Sequence, residues 1–157
     1  MRHLFSGGLV LFGVVSIPVA FSPQPTQELP KHEHRVDARL NSLRNFFLKA
    51  ECPAAEYAVE FLTVADEYAL DWRLLPSLSF VESTGGKTGL FNNLFGWDSG
   101  RAHFDSPRAA IRSVGSHLAQ SALYRSKSLD EILATYNPNE DYAQKVKSVM
   151  RQIASVQ

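Results

Sequence analysis

Glu82 is the residue whose position most invites chemistry. It closes a largely apolar run that begins at Leu74, and Gly85 and Gly86 follow it almost at once. Charge is disfavoured where water is thin, so a carboxyl in such a place can keep its proton and hand it to a leaving group. Trp72, Leu75, Ser79 and Glu82 are separated by three, four and three positions and so share one helix face. A helix-end glutamate is more commonly just solvated, and spacing alone does not decide between the two roles. A second cluster follows in Phe91-Asn92-Asn93-Leu94-Phe95-Gly96-Trp97, where two amides adjoin aromatic rings in a glycine-containing loop. Sugars are bound by such mixtures, because pyranose C–H faces stack on rings while hydroxyl and acetamido groups seek amide donors and acceptors. Phe95 reads more readily as a core anchor, and Asn92 or Asn93 can equally serve the turns. Trp97 reads equally as core or as a sugar platform.

The elements that must position these residues read as helices. Val36, Leu40, Leu43 and Phe47 step by four, three and four, which marks a first helix. A second is expected from about Ala54 to Ala69 with Pro53 at its start, and a third from Trp72 to about Ser83 capped by Asp71, with Pro76 bending or tightening its first turn. Ser106-Pro107 opens a fourth helix carrying Ala110, Ile111, Val114 and Leu118. Ser128 with Glu131 forms a capping box for a short fifth, and Glu140 to about Ala154 is a sixth with Val146, Val149 or Met150, and Ile153 on one side. The expected fold class is all-α.

Length and composition bound the function. The chain has 157 residues, 16 Lys+Arg against 16 Asp+Glu, and 45% hydrophobic residues, which fits one ordinary globular domain with no room for two enzymatic ones. Zero net charge argues against nucleic acid as the main partner, since phosphate binding usually needs a basic excess. The single cysteine, Cys52, excludes an intramolecular disulfide and a multi-cysteine zinc site, and reads as a small buried apolar side chain. Met1-Arg2-His3 and the almost uncharged stretch from Leu4 to Phe21 have the layout of a secretory signal, with a retained membrane anchor as the alternative. Either places the domain in the periplasm, the cell envelope or outside the cell. Residues 23–35 read as a polar linker, and its His32 and His34 as solvated side chains rather than metal ligands. The globular domain is expected over 36–157, as a monomer needing no metal and no cofactor.

Taken together, Leu70-Asp71-Trp72-Arg73-Leu74-Leu75-Pro76, Val81-Glu82-Ser83-Thr84-Gly85-Gly86-Lys87 and Asn92-Asn93-Leu94-Phe95-Gly96-Trp97 resemble the lysozyme-like superfamily. The nearest likeness is to its bacterial N-acetylglucosaminidase branch, the mannosyl-glycoprotein endo-beta-N-acetylglucosaminidase-like family. Phe104-Asp105-Ser106-Pro107 and the closing Tyr136-Asn137-Pro138-Asn139 with Tyr142-Ala143-Gln144-Lys145-Val146 resemble the same branch, so the likeness runs from about Ala54 to Ile153. Each motif is weak alone, and their order makes them more specific.

The resemblance implies a helical domain holding a peptidoglycan strand in a groove, with Glu82 as general acid and Asn92 or Asn93 on an acetamido group. Tyr136 matches a tyrosine lying opposite the acid, where its hydroxyl can orient a water or stabilise positive charge on the sugar; core packing is an equal alternative. Asn137 is a further substrate contact on this reading, and Tyr142 a lesser one, although both are more often structural. The sequence departs from the pattern in one respect. Only nine residues separate Glu82 from Asn92, so the β-hairpin lobe that carries a second carboxylate in many members is nearly absent. A two-carboxylate mechanism needs partners about 5 to 9.5 Å apart. Asp98 is the better of the nearby acids, although a turn role is commoner for it, and Asp105 more readily helps cap a helix. A one-acid mechanism follows, in which the substrate's N-acetyl group or its 6-hydroxyl replaces the nucleophile, giving hydrolysis or a lytic transglycosylase product. A lysozyme-like groove that binds wall glycan without turnover is the alternative outside enzymology.

Overall fold

The helix starts are set by side chains that accept otherwise unpaired backbone N–H groups. In a computed structural model, which describes residues 37–156, α1 (Ala38–Lys49) begins at Asp37, whose carboxylate accepts the Arg39 amide at 2.9 Å. The Arg39 guanidinium also reaches Asp66 at 2.7 and 2.9 Å, tying this start to the far end of the next helix. The expected signal or anchor over 1–22, the linker over 23–35, and His32 and His34 all lie outside the described residues.

Pro53–Tyr57 form a 3-10 turn, and α2 (Ala58–Glu67) begins only after it. The single helix expected from Ala54 is therefore broken. This turn packs closely on Gly85, at φ +62°: a Cβ there would stand 2.9 Å from the Cys52 Cβ and 3.1 Å from the Ala54 Cβ. The Gly85 carbonyl accepts the Ala54 N–H at 3.0 Å, a donor without a partner inside its own helix, which fastens the first turn to the end of the next helix. That next helix, α3 (Leu74–Ser83), starts later than expected. The Asp71 carboxylate takes the Arg73 N–H and its carbonyl takes the Leu74 N–H, both at 2.9 Å, which closes a turn before the helix rather than capping it. Pro76 falls within the first turn, where a missing N–H leaves no helical bond unmade. Thr84 ends α3 in the left-handed region at φ 52°.

Ser106 caps α4 (Pro107–Gln120) by accepting the Ala109 amide at 3.1 Å, so Asp105 does not cap it. The Ser128–Glu131 capping box opens α5 (Leu129–Tyr136), and Asn139 caps α6 (Glu140–Ser155), whose first turn carries Glu140 and Asp141. No strand occurs among the described residues, and the fold is all-α. α3 packs on α6, α2 on α4, and α1 on both α2 and α6, around a core that includes Phe47, Phe61, Leu75, Leu78, Ile111 and Ile153.

α4 crosses α2 at a glycine. A Cβ on Gly115 would clash with Val64 Cγ1 and stand 3.2 Å from Leu75 Cδ1. Beside this crossing the buried Glu60 carboxylate meets Arg108 at 3.3 Å and Arg112 at 2.6 Å, the latter an ionic contact without hydrogen-bond alignment. Gly115→Ala is therefore expected to destabilise the fold despite alanine's better helix propensity. Overpacking of about 2 to 3 kcal/mol outweighs a gain of about 1 kcal/mol, for a fall in Tm of about 5 °C. Thermal unfolding of the variant beside wild type measures it.

Candidate functional site

Glu82 lies in the last turn of α3, and its carboxyl is held from across the bundle. The Tyr142 hydroxyl, in the first turn of α6, donates to Glu82 Oε1 at 2.7 Å. The packing of α3 on α6 brings the two together over sixty residues of sequence. The other oxygen, Oε2, packs over Gly96: a Cβ on that residue would stand 2.7 Å from it. Gly96 is at φ +59°, so the absence of a side chain serves both the backbone and the carboxyl.

Three ties hold the loop that carries Gly96. The hydroxyl of Ser83, the residue after Glu82, donates to the Leu94 carbonyl at 2.8 Å and accepts the Gly86 N–H at 2.9 Å. The buried Asn93 side chain clamps Trp97 from both sides, its Oδ1 accepting the Trp97 N–H at 2.9 Å and its Nδ2 donating to the Trp97 carbonyl at 3.0 Å. From α5, the Tyr136 hydroxyl donates to the Phe95 carbonyl at 2.6 Å. The Trp97 ring then meets Tyr136 and His117 edge to face, at 5.7 and 5.1 Å between centroids. Tyr136 in turn stacks on Tyr142 at 5.9 Å and 9°.

These groups enclose a cleft of about 360 Å3 lined by Glu82, Gly96, Trp97, Tyr124, Tyr136 and Asn137, with Asp98 and Ser99 at one wall. That volume lies within the range of small-ligand sites, about 300 to 1,000 Å3. A second hollow of about 210 Å3 shares Glu82 and Gly96 and is otherwise lined by Ser83, Thr88, Gly89, Leu90, Asn93 and Gly100. Burial, first of all, raises the hydroxyls of Tyr142, Tyr136 and Tyr124 above the ordinary tyrosine range. The hydrogen bond to Glu82 raises Tyr142 further, and the nearby Glu82 charge raises Tyr136. All three stay neutral and keep their protons at any pH at which the site would work.

Of the residues singled out in the sequence, the structure brings Glu82, Trp97, Tyr136 and Asn137 to one cleft. Asn137 keeps one contact of its own, its Oδ1 accepting the Asn139 N–H at 3.0 Å. Asn93 borders the second hollow, and its side chain holds the Trp97 backbone, which positions that loop. Asn92 stands apart: it is exposed, its Nδ2 donates to the Phe104 carbonyl at 2.8 Å, and it lines a different hollow with Pro53 and Tyr57. A left-handed backbone at φ 59° accompanies this placement of Asn92, outside the linings to which Glu82 belongs. Asp98 lines the first cleft, and its carboxylate is paired with the exposed Arg101 at 2.8 Å. Tyr124, Gly96 and Ser83 were not singled out. Tyr124 lies in an irregular turn where no period marks a buried face, whereas Ser83 and Gly96 sat inside the quoted motifs.

The Tyr142 contact supports a prediction. Tyr142→Phe keeps the ring in the core and removes only the donor to Oε1, so a loss of about 1 kcal/mol in stability is expected. If Glu82 works in a reaction, the freed carboxyl should lower kcat by about tenfold, the effect of one hydrogen bond of similar strength. Steady-state kinetics of the variant checks this, and an effect confined to KM would contradict it. Among the described residues no group of three His, Cys, Asp or Glu side chains is placed to hold a metal ion. None of their helices is long and apolar enough to cross a membrane. Comparison with family models, curated proteins and solved structures finds no match for the chain.

Proposed function

We propose that the protein is a peptidoglycan-directed glycoside hydrolase of lysozyme-like fold, cutting a β-1,4 bond beside an N-acetylated sugar with Glu82 as general acid. One observation carries the reading: the Glu82 carboxyl, with one oxygen fixed by Tyr142 and the other over Gly96, lines a cleft together with the rings of Trp97, Tyr124 and Tyr136 and the amide of Asn137. The ordered motifs that resemble the N-acetylglucosaminidase branch support it, and the Leu4 to Phe21 stretch supports export or a membrane anchor.

The chemistry proposed follows from which atoms are free. With Oε1 held, Oε2 is the oxygen that donates its proton to the departing sugar oxygen as the glycosidic bond breaks. The substrate's N-acetyl oxygen attacks the anomeric carbon in place of a second carboxylate, and water then opens that ring, its proton returning to Glu82. The Tyr136 hydroxyl donates its hydrogen bond to the Phe95 carbonyl, so its oxygen presents lone pairs, suited to accept from that water or to face positive charge on the sugar. Trp97 and Asn137 would hold the ring and its acetamido group.

Digestion of purified peptidoglycan followed by mass spectrometry tests the reading. Products that have gained one water per bond cut support the hydrolase. Products lighter by that water carry a 1,6-anhydro end and assign the same acid to a lytic transglycosylase, in which the 6-hydroxyl attacks. Strand binding with no new chain ends would make the domain a wall-binding module instead.

A further inference from the structure

Three tyrosines gather at Glu82, and each has one hydroxyl proton to donate. Tyr142 spends its donor on Glu82 Oε1, and Tyr136 spends its own on the Phe95 carbonyl. Tyr124 spends its donor on nothing. Its hydroxyl has no hydrogen-bond partner among the described residues, although the residue is only 5% exposed. A polar group left so within a packed site costs free energy unless something outside the fold completes it. The hydroxyl is not sealed into the core, because Tyr124 lines the Glu82 cleft and its oxygen keeps contact with solvent. It stands near enough to the Tyr136 and Tyr142 hydroxyls for its ionisation to oppose theirs, which puts the three oxygens in one neighbourhood.

The residue is held in place on both sides. Its N–H donates to the Ser121 carbonyl at 3.2 Å, its carbonyl accepts the Lys127 N–H at 3.2 Å, and its ring meets His117 edge to face at 5.7 Å. A donor fixed before the ligand arrives loses little freedom when it binds. Its neighbours decide what it can pair with. Tyr136 and Asp98 line the same cleft and have only acceptors left to offer a ligand. A sugar hydroxyl meets those by donating. An acetamido carbonyl has no proton to give and requires a donor.

We infer that Tyr124 contacts the substrate, its hydroxyl donating to the acetamido carbonyl of a sugar in the Glu82 cleft, so that it sets a preference for N-acetylated over plain sugars. The inference rests on the glycosidase reading and deepens it.

The test titrates the Glu82→Gln protein, in which turnover is removed, by calorimetry with the β-1,4-linked trimers of N-acetylglucosamine and of glucose, which differ in the acetamido group. Adding Tyr124→Phe is expected to weaken binding of the N-acetylglucosamine trimer about tenfold, the worth of one hydrogen bond, and to leave the glucose trimer unchanged. The double variant should melt within about a degree of its parent, because the hydroxyl holds nothing in the fold. An unchanged affinity for the N-acetylglucosamine trimer, an equal loss for both trimers, or a Tm several degrees lower each overturns the inference while leaving the glycosidase reading in place. Failure of the N-acetylglucosamine trimer to bind the Glu82→Gln protein at all removes the glycosidase reading, and the inference falls with it.

Discussion

Glu82→Gln protein is expected to release new chain ends from purified peptidoglycan about a hundredfold to ten-thousandfold more slowly than wild type, the range lost when a general acid is removed. The substitution is nearly isosteric, and its amide oxygen can still accept from the Tyr142 hydroxyl now 2.7 Å from Oε1, so the α3 to α6 contact should survive. A shift in Tm of only a degree or two is therefore expected, since a single polar exchange at a half-buried site usually costs about 0.5 kcal/mol or less. Digestion rate and melting temperature must be read on the same preparation. Undiminished wall digestion by a well-folded variant would remove Glu82 from the mechanism and leave the cleft without an acid.

Gly96→Ala should separate geometry from stability. Its Cβ would stand 2.7 Å from Glu82 Oε2, and the cheapest relief is to push the end of that flexible side chain aside. A displacement of that order costs about a hundredfold in rate when the group takes part in the reaction. The fold suffers much less. An alanine at φ +59° costs about 1 kcal/mol in backbone strain, equivalent to a few degrees in Tm. Gly100 supplies the comparison for that part, since it is at φ +83° with nothing within 4 Å of a Cβ. Gly100→Ala should therefore lose a similar amount of stability from strain alone. A Gly96→Ala enzyme as fast as wild type would mean that the carboxyl need not occupy its present position.

The helical class and most helix starts were legible because caps and periods are local. Ser106 before Pro107, and Ser128 with Glu131, mark starts whatever the rest of the chain does. The 3-10 form of Pro53–Tyr57 was not legible, because no local period separates it from an α-helical turn and its contact with Gly85 spans thirty residues. Asn92 and Asn93 show the same limit at shorter range. The two neighbours are chemically identical, and the sign of φ at Asn92 sends one to the Phe104 carbonyl and the other to Trp97. Tyr142 could have been placed from its register alone: it precedes Val146, Val149 and Ile153 by steps of four, three and four, so it shares their buried face. What the register could not show was that this face ends opposite Glu82.

Ser83, Asn93 and Tyr136 all fasten the Thr84 to Asp105 segment through main-chain atoms of Leu94, Trp97 and Phe95. Peptide groups are the same whatever residue carries them, so the exposed side chains of Asp98 and Ser99 owe the scaffold little beyond a residue type that accepts their left-handed backbones at φ 51° and 54°. Mutational drift, or a library confined to those two codons and to such residue types, can recolour the lining of the cleft while its skeleton stays put. On the glycosidase proposed above, this short stretch is where preference among wall polymers would diverge.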